Sequence, residues 1–167
     1  LVSEVPDSWR RSGESSWQQT GRFSSDSSLR MVVESCRGLM AELELKPEDF
    51  SHCVFQQPSS RFAADVARSL GFSPEKVKVG SIFPSVGNLL SASSLVALCA
   101  VLDVAQVGER ILLASYGSGA GSDAFSIVVD NGITEKRMIA PSVGSLIRGK
   151  RLVDYPFMMR GYQDIRG

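Results

Sequence analysis

The sequence predicts a layered α/β domain built around a mixed sheet. Three observations carry that expectation. Apolar positions at helical spacing alternate with short apolar runs of strand length. One helix-length segment is apolar on almost every side. A glycine-rich turn joins the last two strand-like runs. Strands alternating with helices imply a sheet with helices laid on its faces. A helix apolar all round needs cover on two sides, and one sheet in a chain of 167 residues hardly provides it. The pattern therefore favours a five-layer body whose second sheet comes from elsewhere.

The elements follow in order. Residues 1–28 are polar and rich in Ser, Gly and Arg, with Trp9, Trp17 and Phe23 as isolated aromatics; they read as an extended arm or loop packing on a neighbour, ahead of a domain over 29–167. Asp26 or Ser27 can N-cap a helix carrying Leu29, Val32, Val33, Cys36, Leu39, Met40 and Leu43 on one stripe. Lys46-Pro47 sets its limit, because proline disfavours helix in the residue before it. A strand is expected from His52 to Phe55, and a helix from Ser60 to Leu70 that stops at Gly71. Residues 72–88 form a turn-rich connector with Pro74, Gly80, Pro84 and Gly87. The apolar helix runs from Ala92 to Val104, after which Gly108 ends a turn. Strands are expected at Arg110–Ser115 and Ala124–Val129, around a tight loop with Gly117, Gly119 and Gly121. Asp130-Asn131-Gly132 signals a turn, with a short strand at Ile133–Arg137 and a helix at Val143–Arg148 beyond it.

Composition narrows the function classes. Eighteen Lys and Arg balance eighteen Asp and Glu, so charge makes no case for nucleic acid or an anionic membrane as partner. No apolar run reaches the roughly 18–20 residues that span a bilayer. The opening Leu-Val-Ser-Glu has neither an initiator Met nor the pattern of a signal peptide, so an excerpt of a longer chain and a cytoplasmic location are expected. Cys36, Cys53 and Cys99 form no Cys-x-x-Cys pair and read as reduced thiols buried on apolar faces. With His52 as the single histidine, a zinc site is not expected.

From Gly87-Asn88 onward the pattern is more specific. Together with Asp7-Ser-Trp-Arg10, Lys46-Pro-Glu-Asp-Phe50, Val54-Phe-Gln-Gln-Pro58, Leu70-Gly-Phe72, Ala100-Val-Leu-Asp-Val-Ala105, Gly108-Glu-Arg-Ile-Leu-Leu113 and the Gly117–Ala124 loop, it resembles the C-terminal half of hydroxymethylglutaryl-CoA synthases of the short archaeal and bacterial type. The resemblance covers roughly residues 7–160 and implies the C-terminal half of a thiolase-like fold. It also implies a Claisen condensation of acetyl-CoA with acetoacetyl-CoA, in which a Cys is acetylated and a Glu moves the proton. The family carries both residues in its N-terminal half, so the resemblance implies that an N-terminal half or a partner subunit supplies them. It implies acyl-CoA thioesters as substrates with no further cofactor, a homodimer, and association with a thiolase.

In such a C-terminal half an Asn following Gly donates to an oxygen that gains negative charge, and Asn88 matches it. A turn Asn that caps the next helix is the plainer alternative. The family's Phe-His-x-Pro motif reads Phe55-Gln56-Gln57-Pro58 here, so Gln56 stands at the His position. A carboxamide donates a neutral hydrogen bond and moves no proton. His52 shares strand parity with Gln56 but lies about 13 Å away along an extended chain, too far to replace it. Gly117 and Ser118 border the site by resemblance; the loop leads into a strand, not a helix, so it is no dinucleotide fingerprint. Arg148, Lys150, Arg151 and Arg160 form a solvated surface, or meet CoA phosphates or an acidic partner. Three functions therefore stand at this level: part of an acyltransferase; a non-catalytic thiolase-like scaffold, because Gln56 replaces the family His; or an enzyme of altered chemistry, such as acyl transfer or thioester hydrolysis on a different β-ketoacyl substrate.

Overall fold

A computed structural model describes residues 1–2, 8–13, 18–19, 22–117 and 121–157. Ser8–Trp9 (β1) and Gln18–Gln19 (β2) pair as a small antiparallel ribbon. Trp17, and Arg160 at the basic end, lie outside the described residues.

The first helix, α1, runs from Arg22 to Glu42 and so begins ahead of the expected Asp26–Ser27 start. No proline or glycine interrupts residues 22–28, and the helix extends back through them. It buries Val32, Val33, Cys36 and Met40 as its spacing predicts, and Met31 besides. Glu44 takes a left-handed φ of 53° and the Leu45 amide donates to the Met40 carbonyl at 2.8 Å, which closes the helix before Pro47. Leu43, past the helix end, is half exposed.

Three strands form the main sheet, in the order β3-β4-β5. His52–Phe55 (β3) lies parallel to Arg110–Gly117 (β4), with His52 opposite Ile111 and Phe55 opposite Ala114. Gly121–Val128 (β5) returns antiparallel, from Gly121 opposite Gly117 to Val128 opposite Arg110. The sheet is mixed, as expected. Both of its faces are covered. On one, α1 and Phe62–Leu70 (α2) bury Cys53, Phe55, Leu112 and Ala114. On the other, Ser93–Leu102 (α5) packs Ala97 and Val101 against Val54, Ile111 and Leu113. Cover on two sides makes central strands read as continuous apolar runs, which is why Ile111–Ala114 shows no alternation. Gly71, at φ 81°, ends α2 as its C-cap.

The connector holds two short helices, Glu75–Lys78 (α3) and Phe83–Val86 (α4), and a 3₁₀ turn at Leu90–Ala92 leads into α5. Ile133–Lys136 (α6) is a helix, not the strand expected at Ile133–Arg137. The Asp130 carboxylate accepts from the Gly132 amide at 2.9 Å, and this turn starts a helix where β-branched Ile133 and Thr134 suggested a strand. Arg137 then donates to the Leu102 and Ala105 carbonyls at the end of α5. Val143–Arg148 (α7) has the expected bounds; Ser142 accepts from the Ser145 amide as its N-cap.

Candidate active site

The C-terminal ends of β3 and β4 meet the first turn of α5. Period-two alternation puts Val54 and Gln56 on the α5 face of the sheet, and Leu113 and Ser115 on the same face one strand over. Gln56 continues the ladder, its amide donating to the Ala114 carbonyl at 3.2 Å. Its carboxamide oxygen accepts from the Tyr116 amide at 2.8 Å and from the Ser115 hydroxyl at 3.2 Å. The Ser94 hydroxyl of α5 donates in turn to the Ser115 hydroxyl at 3.4 Å. A backbone N–H can only donate, so the atom facing Tyr116 is the carboxamide oxygen, and the Gln56 NH₂ group lies on the other side.

That NH₂ group has no partner among the described residues, yet it is not sealed off. His52 Nδ1 is the one buried side-chain polar atom without a partner among them. An open cleft of about 370 Å³ lies beside this end of the sheet, its walls including Ser91, Ser115, Tyr116, Gly117, Gly121 and Ser122. Gly117 therefore borders the cleft, whereas Ser118 lies outside the described residues. On the other face of β4, Ser122 donates to the Ser115 carbonyl at 2.8 Å and pairs with Ser35 of α1 at 2.8 Å.

Asn88 is exposed and sits in the turn between α4 and α5. Its Oδ1 accepts from the Leu90 amide at 2.8 Å, a turn contact two residues on, while the helix caps that follow, Leu89 and Ala92, have no side-chain cap bond. Its Nδ2 has no partner among the described residues. Gln56 and Asn88 share no hydrogen bond. They have in common a carboxamide whose oxygen is held by a backbone N–H and whose NH₂ is left over.

Neighbouring Gln57 is different. It is buried; its backbone amide donates to the Ser93 hydroxyl at 3.2 Å, its Nε2 to the Gly80 carbonyl at 2.7 Å, and its Oε1 accepts from the Phe83 amide at 2.9 Å. It ties the end of β3 to the connector and to α5. Sequence reasoning missed Gln57, Ser94 and Ser115. The signal for Ser115 was present, since it follows the buried Leu113 by two residues on the strand that carries the glycine turn.

His52 lies at the far end of β3, where its Nε2 is 3.3 Å from a carboxylate oxygen of Glu109. Burial pushes the Cys36 thiol up to about 12, with a hydrogen bond from Ser35 acting the other way. Burial pushes the Cys53 thiol up as well; Lys76 lowers it and Cys36 raises it by smaller amounts. Neither is a thiolate at neutral pH. Cys99 is exposed, against the expectation of burial, because it lies on the side of α5 that the sheet does not cover. Lys150 donates to the Ser85 carbonyl at 2.7 Å, and Arg151 stacks over Phe157. Among the described residues no cluster of His, Cys, Asp and Glu could hold a metal, and no helix is long and apolar enough to cross a membrane.

This sheet with helices on both faces, and a polar end where two strands meet a helix start, is the thiolase-like class of architecture. MvaS in complex with 3-hydroxy-3-methylglutaryl coenzyme A shares it with a TM-score of 0.77 at 21% identity, over 96% of this chain and 48% of that one. 3-Oxoacyl-(acyl carrier protein) synthase III from Pseudomonas aeruginosa shares it with a TM-score of 0.67 at 20% identity, over 78% of this chain and 43% of that one. The chain belongs to the 3-oxoacyl-[acyl-carrier-protein] synthase III C-terminal family, whose model matches residues 40–130. Curated relatives include the hydroxymethylglutaryl-CoA synthases of Methanopyrus kandleri, 46% identical over 155 residues, and Pyrococcus horikoshii, 45% identical over 155 residues. Each match takes in 92% of this chain and 44% of the relative, so the chain spans less than half the length of these curated proteins. It corresponds to their C-terminal half, in accord with the resemblance.

Proposed function

We propose that this chain is the C-terminal part of a hydroxymethylglutaryl-CoA synthase-like acyltransferase, and that it supplies neutral hydrogen-bond donors to a reaction whose nucleophile lies outside it. The observation that carries the reading is the 46% identity to such a synthase over 92% of the chain. The polar end described above supports it.

The division of labour follows from the side chains. Cys36 and Cys53 are held as neutral thiols, and Cys99 lies more than a turn along α5 from Ser94. As the family resemblance implies, the acetylated Cys and the proton-transferring Glu belong to an N-terminal half or a partner subunit. In the condensation, the methyl carbon of the acetyl-Cys thioester loses a proton and attacks the ketone carbon of acetoacetyl-CoA. A carbon–carbon bond forms, and the ketone oxygen becomes an alkoxide that takes up a proton. Water then cleaves the Cys thioester, releasing the product acid and the thiol. Donors aimed at the nascent alkoxide lower this barrier. The NH₂ groups of Gln56 and Asn88 fill that role. Gln56 does not ionise, so the proton comes from the carboxyl group or from water. Acyl-CoA thioesters are the substrates, without a further cofactor. The working form is a homodimer in the cytoplasm, where thiols such as Cys36 and Cys53 stay reduced, in association with a thiolase.

The test is an assay of the protein assembled with the chain segment that bears the nucleophile, with acetyl-CoA and acetoacetyl-CoA supplied. Condensation product is expected, with Asn88→Ala lowering kcat by about 10²–10³. The absence of turnover in that assembly sinks the reading. A specific observation favours a second reading: with Gln56 at the family His position the chain is a non-catalytic scaffold. In that case Gln56→His leaves activity at background.

A further inference from the structure

Three hydroxyl and amide groups around Gln56 have forced hydrogen directions. Its Oε1 accepts from the Tyr116 amide. A carboxamide oxygen has no proton, so Ser115 must donate its single hydroxyl hydrogen to it. The Ser115 oxygen is then left as an acceptor, and Ser94, buried at the first turn of α5, donates to it. Each link points one way, from α5 through β4 to the end of β3. An imidazole that accepted at one nitrogen from the same backbone amide would have to carry its proton on the other nitrogen. The oxygen and nitrogen of the Gln56 carboxamide reproduce that polarity: acceptor toward Tyr116, donor away from it.

We propose that Ser115, backed by Ser94, is a positioning residue that locks the Gln56 carboxamide with its NH₂ outward, so that Gln56 acts as a fixed stand-in for one neutral imidazole tautomer. This rests on the acyltransferase reading for its catalytic consequence, though not for its geometry. Without the Ser115 hydroxyl, Gln56 keeps a single fixed acceptor contact, and its NH₂ samples other directions.

One measurement tests it separately from turnover, and a second tests it through turnover. In the assembled protein labelled with ¹⁵N at glutamine side chains, Ser115→Ala should shift or broaden the Gln56 NH₂ resonances, while Ser115→Thr, which keeps the hydroxyl, should restore them. Unchanged Gln56 resonances in a folded Ser115→Ala protein overturn the proposal, whether or not the enzyme turns over. For the condensation itself, Ser115→Ala should lower kcat by about tenfold, the range of one neutral hydrogen bond, with KM within twofold and Ser115→Thr close to the parent. The kcat–pH profile should gain a step near pH 6.5 on Gln56→His, because an imidazole, with an ordinary pKa of about 6.5, then stands at position 56. A loss confined to KM, or no such gain, overturns it. If the parent shows no turnover while the resonances respond as expected, the positioning stands and the acyltransferase reading fails.

Discussion

Adjacent glutamines at 56 and 57 do opposite things. The Gln56 NH₂ has no partner among the described residues, whereas Gln57 is buried with both side-chain polar atoms engaged. Replacing Gln57 with Leu would leave the part-buried Phe83 amide without its acceptor, while the Gly80 carbonyl would still accept from the Ile82 amide at 3.0 Å. One unsatisfied group costs roughly 1–3 kcal/mol, and a loss of that size in denaturant unfolding is expected. A change below about 0.5 kcal/mol would show that water replaces the side chain. Cys36 gives a pH prediction at the same scale. Its thiol is raised from 9.0 to about 12 in the folded protein. The folded state therefore holds its proton where the unfolded state releases it, and stability is intact below pH 9 and falls as pH rises toward 12. The slope from this one group is about 1.4 kcal/mol per pH unit. In Cys36→Ala the fall in unfolding free energy between pH 9 and 11 should be shallower than in the parent. Equal slopes would mean that the thiol is not what titrates.

At the scale of elements, the edge of β5 is where backbone meets backbone most closely. Val2 bridges Gly121 antiparallel, and the Ser122 amide donates to the Leu1 carbonyl at 2.9 Å. A Cβ on Gly121 would run into that carbonyl. Gly121→Ala is expected to detach residues 1–2 from the edge, so that the Ser122 amide exchanges faster in deuterium while the amides of β4 keep their protection. Unaltered Ser122 exchange would show that the edge adapts to the methyl group. Such a contact joins residues 120 positions apart and leaves no local trace, so the sequence reading saw a glycine turn and not the strand edge beside it. Local signals fared better. Gly71 marked the end of α2, and the β3 and α7 bounds were legible from burial pattern and capping residues. Ile133–Lys136 misled because two β-branched residues outweighed an Asx turn in the reading, while in the fold the turn wins. In the site, Gln56 was legible through the resemblance of Phe55-Gln56-Gln57-Pro58 to the family's Phe-His-x-Pro motif. The Ser94–Ser115 link was not, because it depends on how α5 crosses the sheet.

For the whole molecule, the unusual feature is α5. Its Ala97 and Val101 are fully buried against the sheet, yet Leu95 is 60% exposed and Cys99 is exposed too. Phe125, on the same face of the neighbouring strand, is 53% exposed. An apolar helix open on one side is what a five-layer body would leave when one of its sheets is absent, and the chain spans less than half of its curated relatives. Burying such side chains is worth about 1.5–3 kcal/mol apiece, which would give the N-terminal half proposed above a reason to dock there. Cys99 reports on that docking directly. In this chain alone, Cys99 should alkylate at close to the rate of the unfolded chain, while Cys36 and Cys53 react only on unfolding, because they are buried and protonated. In the assembled protein Cys99 should become as slow as the other two, and Leu95→Asp should weaken assembly without unfolding this chain. A Cys99 that stays fast in an assembled, active enzyme would place the junction elsewhere. The open side of α5 would then be a surface of the finished molecule, and the five-layer expectation would be wrong for it.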